Sequence, residues 1–294
     1  MRDISLSNIT EAVIAHADPK VADPRLLEIY TSFIRHIHDF VRDVRLTEPE
    51  LMQARAFFTA LGRPHQQMPD GEVHMFTDLI GVSELVELLH DPGRGQATET
   101  NLEGPLYVPG APRLANGACI GIDPEGETLF MSGQVRSLDG RPLAGATVDV
   151  WQPNSQGFYD MQDPSQPKMN FRGVFTTDAN GRYDFETVIP LGYNVPSSGP
   201  SGAVLRALGR HTWRPAHIHV KLAAAGHVPI TTMVYVEGAK WIDSDTTFSV
   251  KQALINCVRH DQRAELAARG REQAFYTAAF DFVLTPADAR ARAA

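Results

Sequence analysis

The hydrophobic pattern of this chain changes its period once, across a Pro- and Gly-rich stretch from Asp91 to Pro112, and so divides the chain between two architectures. Before that stretch, Leu26, Ile29, Tyr30, Phe33, Ile37, Phe40, Val41 and Val44 recur at helical spacing. Thr47 and Glu50 form a capping-box signature ahead of Leu51, Met52, Phe57, Phe58 and Leu61. A further apolar stripe runs through Met75, Phe76, Leu79, Ile80, Val82, Leu85, Val86, Leu88 and Leu89. From about Leu26 to His90 the chain therefore reads as helical. It carries more apolar side chains there than three short helices can bury among themselves, which predicts packing against the rest of the chain or a second subunit.

Beyond Pro112 the pattern alternates. Leu129 to Val135 and Ala146 to Trp151 flank Asp139-Gly140, and Gly173 to Thr177 and Arg182 to Phe185 flank Asn180-Gly181. Both Asx-Gly pairs are hairpin signals. His217 to Leu222 and Thr231 to Val236 read as further strands, Phe248 to about Tyr276 as partly helical, and Phe280 to Leu284 as a closing strand. Short strands at this spacing predict a β-sandwich.

Charge and length limit what such a chain can act on. A net charge of −8 without a Lys/Arg block argues against nucleic acid or an anionic membrane as partner, leaving a small diffusible substrate. An apolar fraction of 43% supplies an ample core. The start Met1-Arg2-Asp3-Ile4-Ser5-Leu6 has no apolar signal region, and no run approaches the roughly 18 apolar residues of a membrane span. Membrane insertion is not expected, and a cytoplasmic location is. Cys119 and Cys257 make neither a disulfide framework nor a C-x-x-C motif.

In Arg214-Pro215-Ala216-His217-Ile218-His219-Val220 two histidines lie one residue apart in a predicted strand, where residues i and i+2 share a face. His217 and His219 can therefore grip one metal ion. The same spacing at His36-Ile37-His38 falls in a helical pattern, where the two rings diverge towards solvent. No carboxylate completes a site around His217 and His219: Ala223, Ala224 and Ala225 stand where a cupin glutamate would, and His219 itself takes the carboxylate place of a ferrous facial triad. Two tyrosines stand out instead, each in a loop-like setting, Tyr159 and Tyr193. A phenol with pKa near 10 is a feeble ligand until a strongly acidic cation displaces its proton, so a two-Tyr, two-His set favours ferric over ferrous iron and over zinc.

The chain is identified as resembling the intradiol ring-cleaving dioxygenases, which include the catechol, chlorocatechol and hydroxyquinol 1,2-dioxygenases. The resemblance lies in the ordered set Glu103-Gly104-Pro105-Leu106-Tyr107-Val108, Asp149-Val150-Trp151-Gln152, Gly157-Phe158-Tyr159, Thr177-Asp178 to Arg182-Tyr183, Gly192-Tyr193, and Leu208-Gly209-Arg210-His211 running into Arg214 to His219. It implies a mainly β protein: a prealbumin-like β-sandwich catalytic domain over 106–294, preceded by an α-helical linker and dimerisation region over 1–105. It implies one Fe(III) per subunit held by Tyr159, Tyr193, His217 and His219. It also implies a homodimer through the N-terminal helices, where several members hold a phospholipid as well.

The activity implied is cleavage of an aromatic 1,2-diol by O₂ to a cis,cis-muconate. Tyr193 would yield its place and accept a diol proton, and Arg214 would stabilise negative charge on the ring. The pocket positions implied are Met75, Asp78, Leu102, Pro105, Leu106, Val195, Pro196, Arg214 and Thr247. Most are apolar, and Asp78 could accept a hydrogen bond from a third ring hydroxyl.

The stretch Trp241 to Asp245 and Phe248 to Lys251 is similar to hydroxyquinol enzymes, whereas Gly192-Tyr193 and Gly104-Pro105-Leu106 are similar to catechol enzymes. Hydroxyquinol (benzene-1,2,4-triol) is the expected substrate, with catechol or a substituted catechol the alternative. Where many catechol-cleaving relatives carry Thr-Thr-Gln, this chain has Thr231-Thr232-Met233, and Met cannot donate the Gln hydrogen bonds. A binding module is the distant alternative, because Ser132 to Val135, Gly140 to Val148 and Thr177 to Tyr183 also resemble non-catalytic prealbumin-like sandwiches. A zinc hydrolase would need a third carboxylate or Cys ligand, for which there is no obvious candidate.

Overall fold

A computed structural model describes residues 3–65, 68–90 and 95–287 and divides the chain into two units, Met1–Arg63 and Pro64–Ala294. The first unit holds α1 (Ile9–Ile14), α2 (Pro24–Val44) and α3 (Glu48–Leu61). Asp23 caps α2 by accepting from the Leu26 N–H at 2.8 Å, Pro24 sits in its first turn, and Arg45 ends it in the left-handed region at φ 50°. The apolar stripe of α2, with Leu26, Ile29, Phe33, Ile37, Phe40, Val41 and Val44, remains exposed in the single chain. The expected capping box starts α3, where the Glu50 carboxylate accepts from the Thr47 N–H at 2.8 Å. His36 is exposed as expected, but His38 is half-buried, its Nδ1 3.0 Å from the Thr10 hydroxyl on α1, a contact that helical period alone does not reveal.

The second unit begins with α4 (Val73–Leu79) and α5 (Val82–His90). Next come β1 (Thr128–Ser137), β2 (Thr147–Trp151), β3 (Arg172–Thr176), β4 (Arg182–Val188), β5 (Tyr193–Asn194), α6 (Pro200–Ala207), β6 (Trp213–Arg214), β7 (His217–Ala223) and β8 (Ile230–Tyr235). A 3₁₀ turn at Gln252–Leu254, β9 (Val258–His260), α7 (Arg263–Ala268), β10 (Phe275–Ala279) and β11 (Phe282–Leu284) follow. No helix among the described residues is long and apolar enough to cross a membrane.

Two sheets face each other, as the alternating pattern predicts. In one, β1 pairs antiparallel with β4 along one edge and parallel with β10 and then β11 along the other, and β9 pairs with β10. The other is antiparallel in the order β3-β2-β7-β8. Leu129, Met131, Val135 and Phe185 from the first sheet share one core with Val148, Val150, Phe175, Ile218, Val220, Leu222 and Val234 from the second. The rings of Phe175 on β3 and Phe185 on β4 stack across it at 5.1 Å. Each such side chain contributes about 1.5–3 kcal/mol of burial.

Neither Asx-Gly pair closes a hairpin between its flanking strands. β1 and β2 lie in different sheets, as do β3 and β4. The pairs do make tight turns, with Gly140 and Gly181 at φ +82° and +71°, but residues between turn and strand carry the chain across the sandwich. Thr177 clamps the two crossings together: its hydroxyl donates to the Leu143 carbonyl at 2.6 Å and accepts from the Ala146 N–H at 2.9 Å.

Candidate metal centre and its pocket

The site grows from the alternation of β7, which lies between β2 and β8. Ile218, Val220 and Leu222 enter the core, so His217 and His219 project from the opposite face. Register then fixes their neighbours: Trp151 and Met233 stand opposite His219, and Tyr235 stands opposite His217. All five side chains are buried. The His217 Nδ1–H donates to the Pro215 carbonyl at 2.7 Å, which leaves a lone pair on Nε2. That atom lies 3.2 Å from Nε2 of His219, so the two imidazoles converge on one point. His219 lacks such an anchor: its Nδ1 is buried without a hydrogen-bond partner, and the ring is held by stacking on the Trp151 indole, 4.7 Å away and within 9° of parallel.

Loop chemistry delivers the tyrosines. The Asn154 carboxamide oxygen accepts from the N–H groups of Gln156 (3.0 Å) and Phe158 (2.9 Å), folding a turn that ends at Tyr159. Gly157, at φ +85°, lets this turn meet the next loop, since a Cβ there would lie 3.1 Å from the Gly192 carbonyl oxygen. Tyr193 follows Gly192 and pairs with Arg214 in the short β5–β6 ladder. As a result the Tyr159 and Tyr193 rings lie 5.7 Å apart, and the Tyr193 and His217 rings 5.5 Å.

The Tyr159 hydroxyl is fully buried and has no hydrogen-bond partner. Burial, with Tyr193 beside it, holds this phenol well above its ordinary pKa, so a bound cation must displace its proton. An orphaned phenol packed on Tyr193, which in turn packs on His217 with its Nε2 turned to that of His219, fits a hard, strongly acidic metal ion. Among the described residues no cluster of three or more His, Cys, Asp or Glu could hold a metal, so a site built on His217 and His219 needs the tyrosines.

Arg214 is buried against this group. Its Nε and Nη2 donate to Oδ1 and Oδ2 of Asp245, each at 3.2 Å, and its Nη1 lies 3.4 Å from Nε2 of His217. Burial opposes the charged guanidinium, but the Asp245 carboxylate outweighs it and keeps Arg214 protonated. Asp245 and Tyr235 were not among the candidate residues in the sequence. Asp245 lies 31 positions from its partner, and no local pattern links them. Met233 has a positive role as well: its sulfur accepts from Arg214 Nη2 at 3.3 Å and from the Tyr235 hydroxyl at 3.2 Å. At this position the neighbours require an acceptor.

Of the predicted pocket residues, Thr247 and Asp78 are tied to the Arg214–Asp245 pair, and the others lie as follows. Met75 and Val195 pack with Leu79 and Leu205 in one buried cluster, and Pro196 follows Val195 in the chain. Leu102, Pro105 and Leu106 flank Gly104, where a Cβ would lie 3.9 Å from Cε1 of His219, and the Leu106 carbonyl accepts from Nη1 of the buried Arg172 at 2.9 Å. Pro105 is exposed, whereas Thr247 is buried and donates to Asp245 at 2.9 Å. Asp78 is 6% exposed, and its Oδ1 is buried with no partner. Burial pushes its carboxyl up in pKa, against the pull of Ser83, His74 and Arg214.

Burial, with Arg214 nearby, pushes His217 down to about 3. The unfolded chain takes up this proton near pH 6.5, so the neutral ring contributes stability above that pH and loses it as pH falls towards 3. Metal-free protein should therefore lose about 2 kcal/mol through His217 between pH 6.5 and 5. Calorimetry of the metal-free protein across that range reads the loss as a falling melting temperature. A His217→Gln variant with unchanged pH dependence would contradict the assignment.

Comparison with known proteins shows the family to which the chain belongs. Residues 102–286 match the family model described as Dioxygenase, and residues 23–98 match the one described as Catechol dioxygenase N terminus. The chain is 39% identical over 291 residues to 6-chlorohydroxyquinol 1,2-dioxygenase of Cupriavidus pinatubonensis, spanning 97% of this chain and 99% of the relative. It is 40% identical over 268 residues to hydroxyquinol 1,2-dioxygenase of a Rhizobium species, spanning 89% and 90%. The solved structure of hydroxyquinol 1,2-dioxygenase from Pseudomonas putida superposes with a TM-score of 0.86 at 33% identity, covering 96% of this chain and 98% of that one. Because the matches run through both the helical region and the sandwich, this chain belongs to the intradiol ring-cleavage dioxygenases.

Proposed function

We propose that this enzyme cleaves hydroxyquinol between its adjacent hydroxyl-bearing carbons, using one Fe(III) per subunit held by Tyr159, Tyr193, His217 and His219. The observation that carries the metal assignment is the orphaned, buried Tyr159 hydroxyl, on a ring packed against Tyr193, together with two imidazole nitrogens 3.2 Å apart next to Tyr193. Ferric iron, when bound, supplies Lewis acidity that draws electron density from a diol and makes its ring reactive towards O₂. Tyr193 is half-buried where Tyr159 is fully buried, so Tyr193 is the ligand suited to yield its place and accept a diol proton. Arg214 supplies a fixed positive charge where negative charge develops on the ring. Met75, Val195, Pro196, Leu102, Pro105 and Leu106 offer apolar walls to a flat ring, and Thr247 closes the Arg214 side. Both atoms of one O₂ enter the product, a cis,cis-muconate.

The choice of diol rests on Asp78. Its unpartnered Oδ1 is an acceptor waiting for a donor, and the third hydroxyl of the triol supplies one. Catechol is the alternative, favoured by Gly104-Pro105-Leu106.

The N-terminal region over 1–105 serves dimerisation in this reading. The exposed stripe of α2 gives a second copy an apolar surface, and a phospholipid could share it.

The visible spectrum of iron-loaded protein tests the assignment. A broad tyrosinate-to-iron band that shifts to longer wavelength with anaerobic hydroxyquinol is expected. A colourless protein with stoichiometric iron would remove Tyr159 and Tyr193 as ligands.

A further inference from the structure

We propose that Asp245 is the positioning residue for Arg214, orienting the guanidinium so that its Nη1 edge is left facing the candidate metal centre. This inference rests on the reading of Arg214 given above.

A guanidinium carries five N–H donors in a rigid plane, and a carboxylate that takes two of them in parallel fixes the plane. Asp245 does this through Nε and Nη2, both at 3.2 Å. Nη2 also reaches the Tyr235 hydroxyl and the Met233 sulfur, each at 3.3 Å. Nη1 instead faces His217 Nε2 at 3.4 Å, a nitrogen whose lone pair a metal ion would take. The N–H groups on Nη1 then point where a bound ring would carry its developing charge.

Asp245 is itself immobilised. Its Oδ2 accepts from the Thr247 hydroxyl at 2.9 Å and the Ser249 N–H at 3.2 Å, and its Oδ1 accepts from the Thr247 N–H at 3.3 Å. The loop that carries it is tied to β6, the strand of Arg214, by Thr246 N–H donating to the Trp213 carbonyl at 3.2 Å. Both partners are almost fully buried, with side-chain exposures of 6% for Arg214 and 2% for Asp245, so water does not compete for the fork. A site that stabilises charge electrostatically needs its donors held in place before the reaction, and this cage supplies that.

The test is a double-mutant cycle on iron-loaded enzyme, with Asp245→Asn, Arg214→Gln and the double variant compared with the parent. Turnover is measured per bound iron, and the anaerobic dissociation constant of the diol is read from the visible band shift. Arg214→Gln should lower kcat about 100-fold, and Asp245→Asn about tenfold with diol affinity little changed. In the Arg214→Gln background, Asp245→Asn should cost less than about twofold, because its target is gone.

An Asp245→Asn enzyme as fast as the parent, or an equal loss in both backgrounds, overturns the inference. Normal turnover by Arg214→Gln would instead remove the catalytic reading of Arg214, and the inference with it. Should Asp245→Asn fail to fold, Thr247→Val takes one hydrogen bond from the carboxylate and leaves the ion pair. A kcat loss of about threefold that vanishes with Arg214→Gln then supports the inference, and a loss independent of Arg214 overturns it.

Discussion

Phenylalanine at position 159 should raise the melting temperature of the metal-free protein, weaken and shift the visible band of the iron-loaded protein, and lower turnover sharply. These effects have one cause. The Tyr159 ring is fully buried, and Phe preserves its packing, so the only change is loss of a hydroxyl with no hydrogen-bond partner. Burying such a group costs about 1–3 kcal/mol, which the variant recovers. The same hydroxyl is the proposed anionic ligand of the ferric ion, and without it the charge-transfer band and the Lewis acidity are both diminished. Turnover should fall by about 100-fold or more, the upper scale for disturbing a metal's surroundings. Calorimetry of the metal-free form, iron analysis and oxygen uptake of the loaded form together check the prediction. A variant with the parent's band unchanged in position and intensity, or whose metal-free form is less stable than the parent, would rule out this role for Tyr159.

Alanine at Asp78 should reverse the preference between substrates. In the parent, hydroxyquinol can donate its third hydroxyl to the buried Oδ1, an interaction with a charged acceptor worth about 1.5–3 kcal/mol, or roughly 10- to 150-fold in kcat/KM. Catechol has no such donor and leaves Oδ1 unpaired, so removing the carboxylate should leave catechol cleavage less affected than hydroxyquinol cleavage. The ratio of kcat/KM for the two diols, measured on parent and variant, is therefore the informative quantity. An equal loss on both diols would show that Asp78 serves the fold rather than the choice of ring.

What the sequence made legible follows from the range of the forces involved. The alternation of β7 announced which face His217 and His219 share, because a strand's period is set locally. The exposed stripe of α2 was readable for the same reason. Asx-Gly turns were read correctly as turns and wrongly as hairpins, since strand partners depend on where the following residues travel, and Thr177 holds both crossings from a distance. The strands at Val258–His260 and Phe275–Ala279 escaped notice beside the partly helical signal between them. The Arg214–Asp245 pair and the acceptor role of Met233 arise from register and loop return, which no window of sequence contains.

The double duty of β7 has a consequence for how such an enzyme can diversify. Inserting or deleting one residue in this strand would exchange its two faces, sending imidazoles into the sandwich interior and Ile218 into the catalytic cleft. Length changes there are therefore lethal to stability and chemistry together. Two of the segments proposed to face the ring, Val73–Leu79 and 102–106, lie outside the sheets and carry none of the four proposed metal ligands. Substrate range is thus free to drift by substitution in those segments while the redox machinery is inherited unchanged.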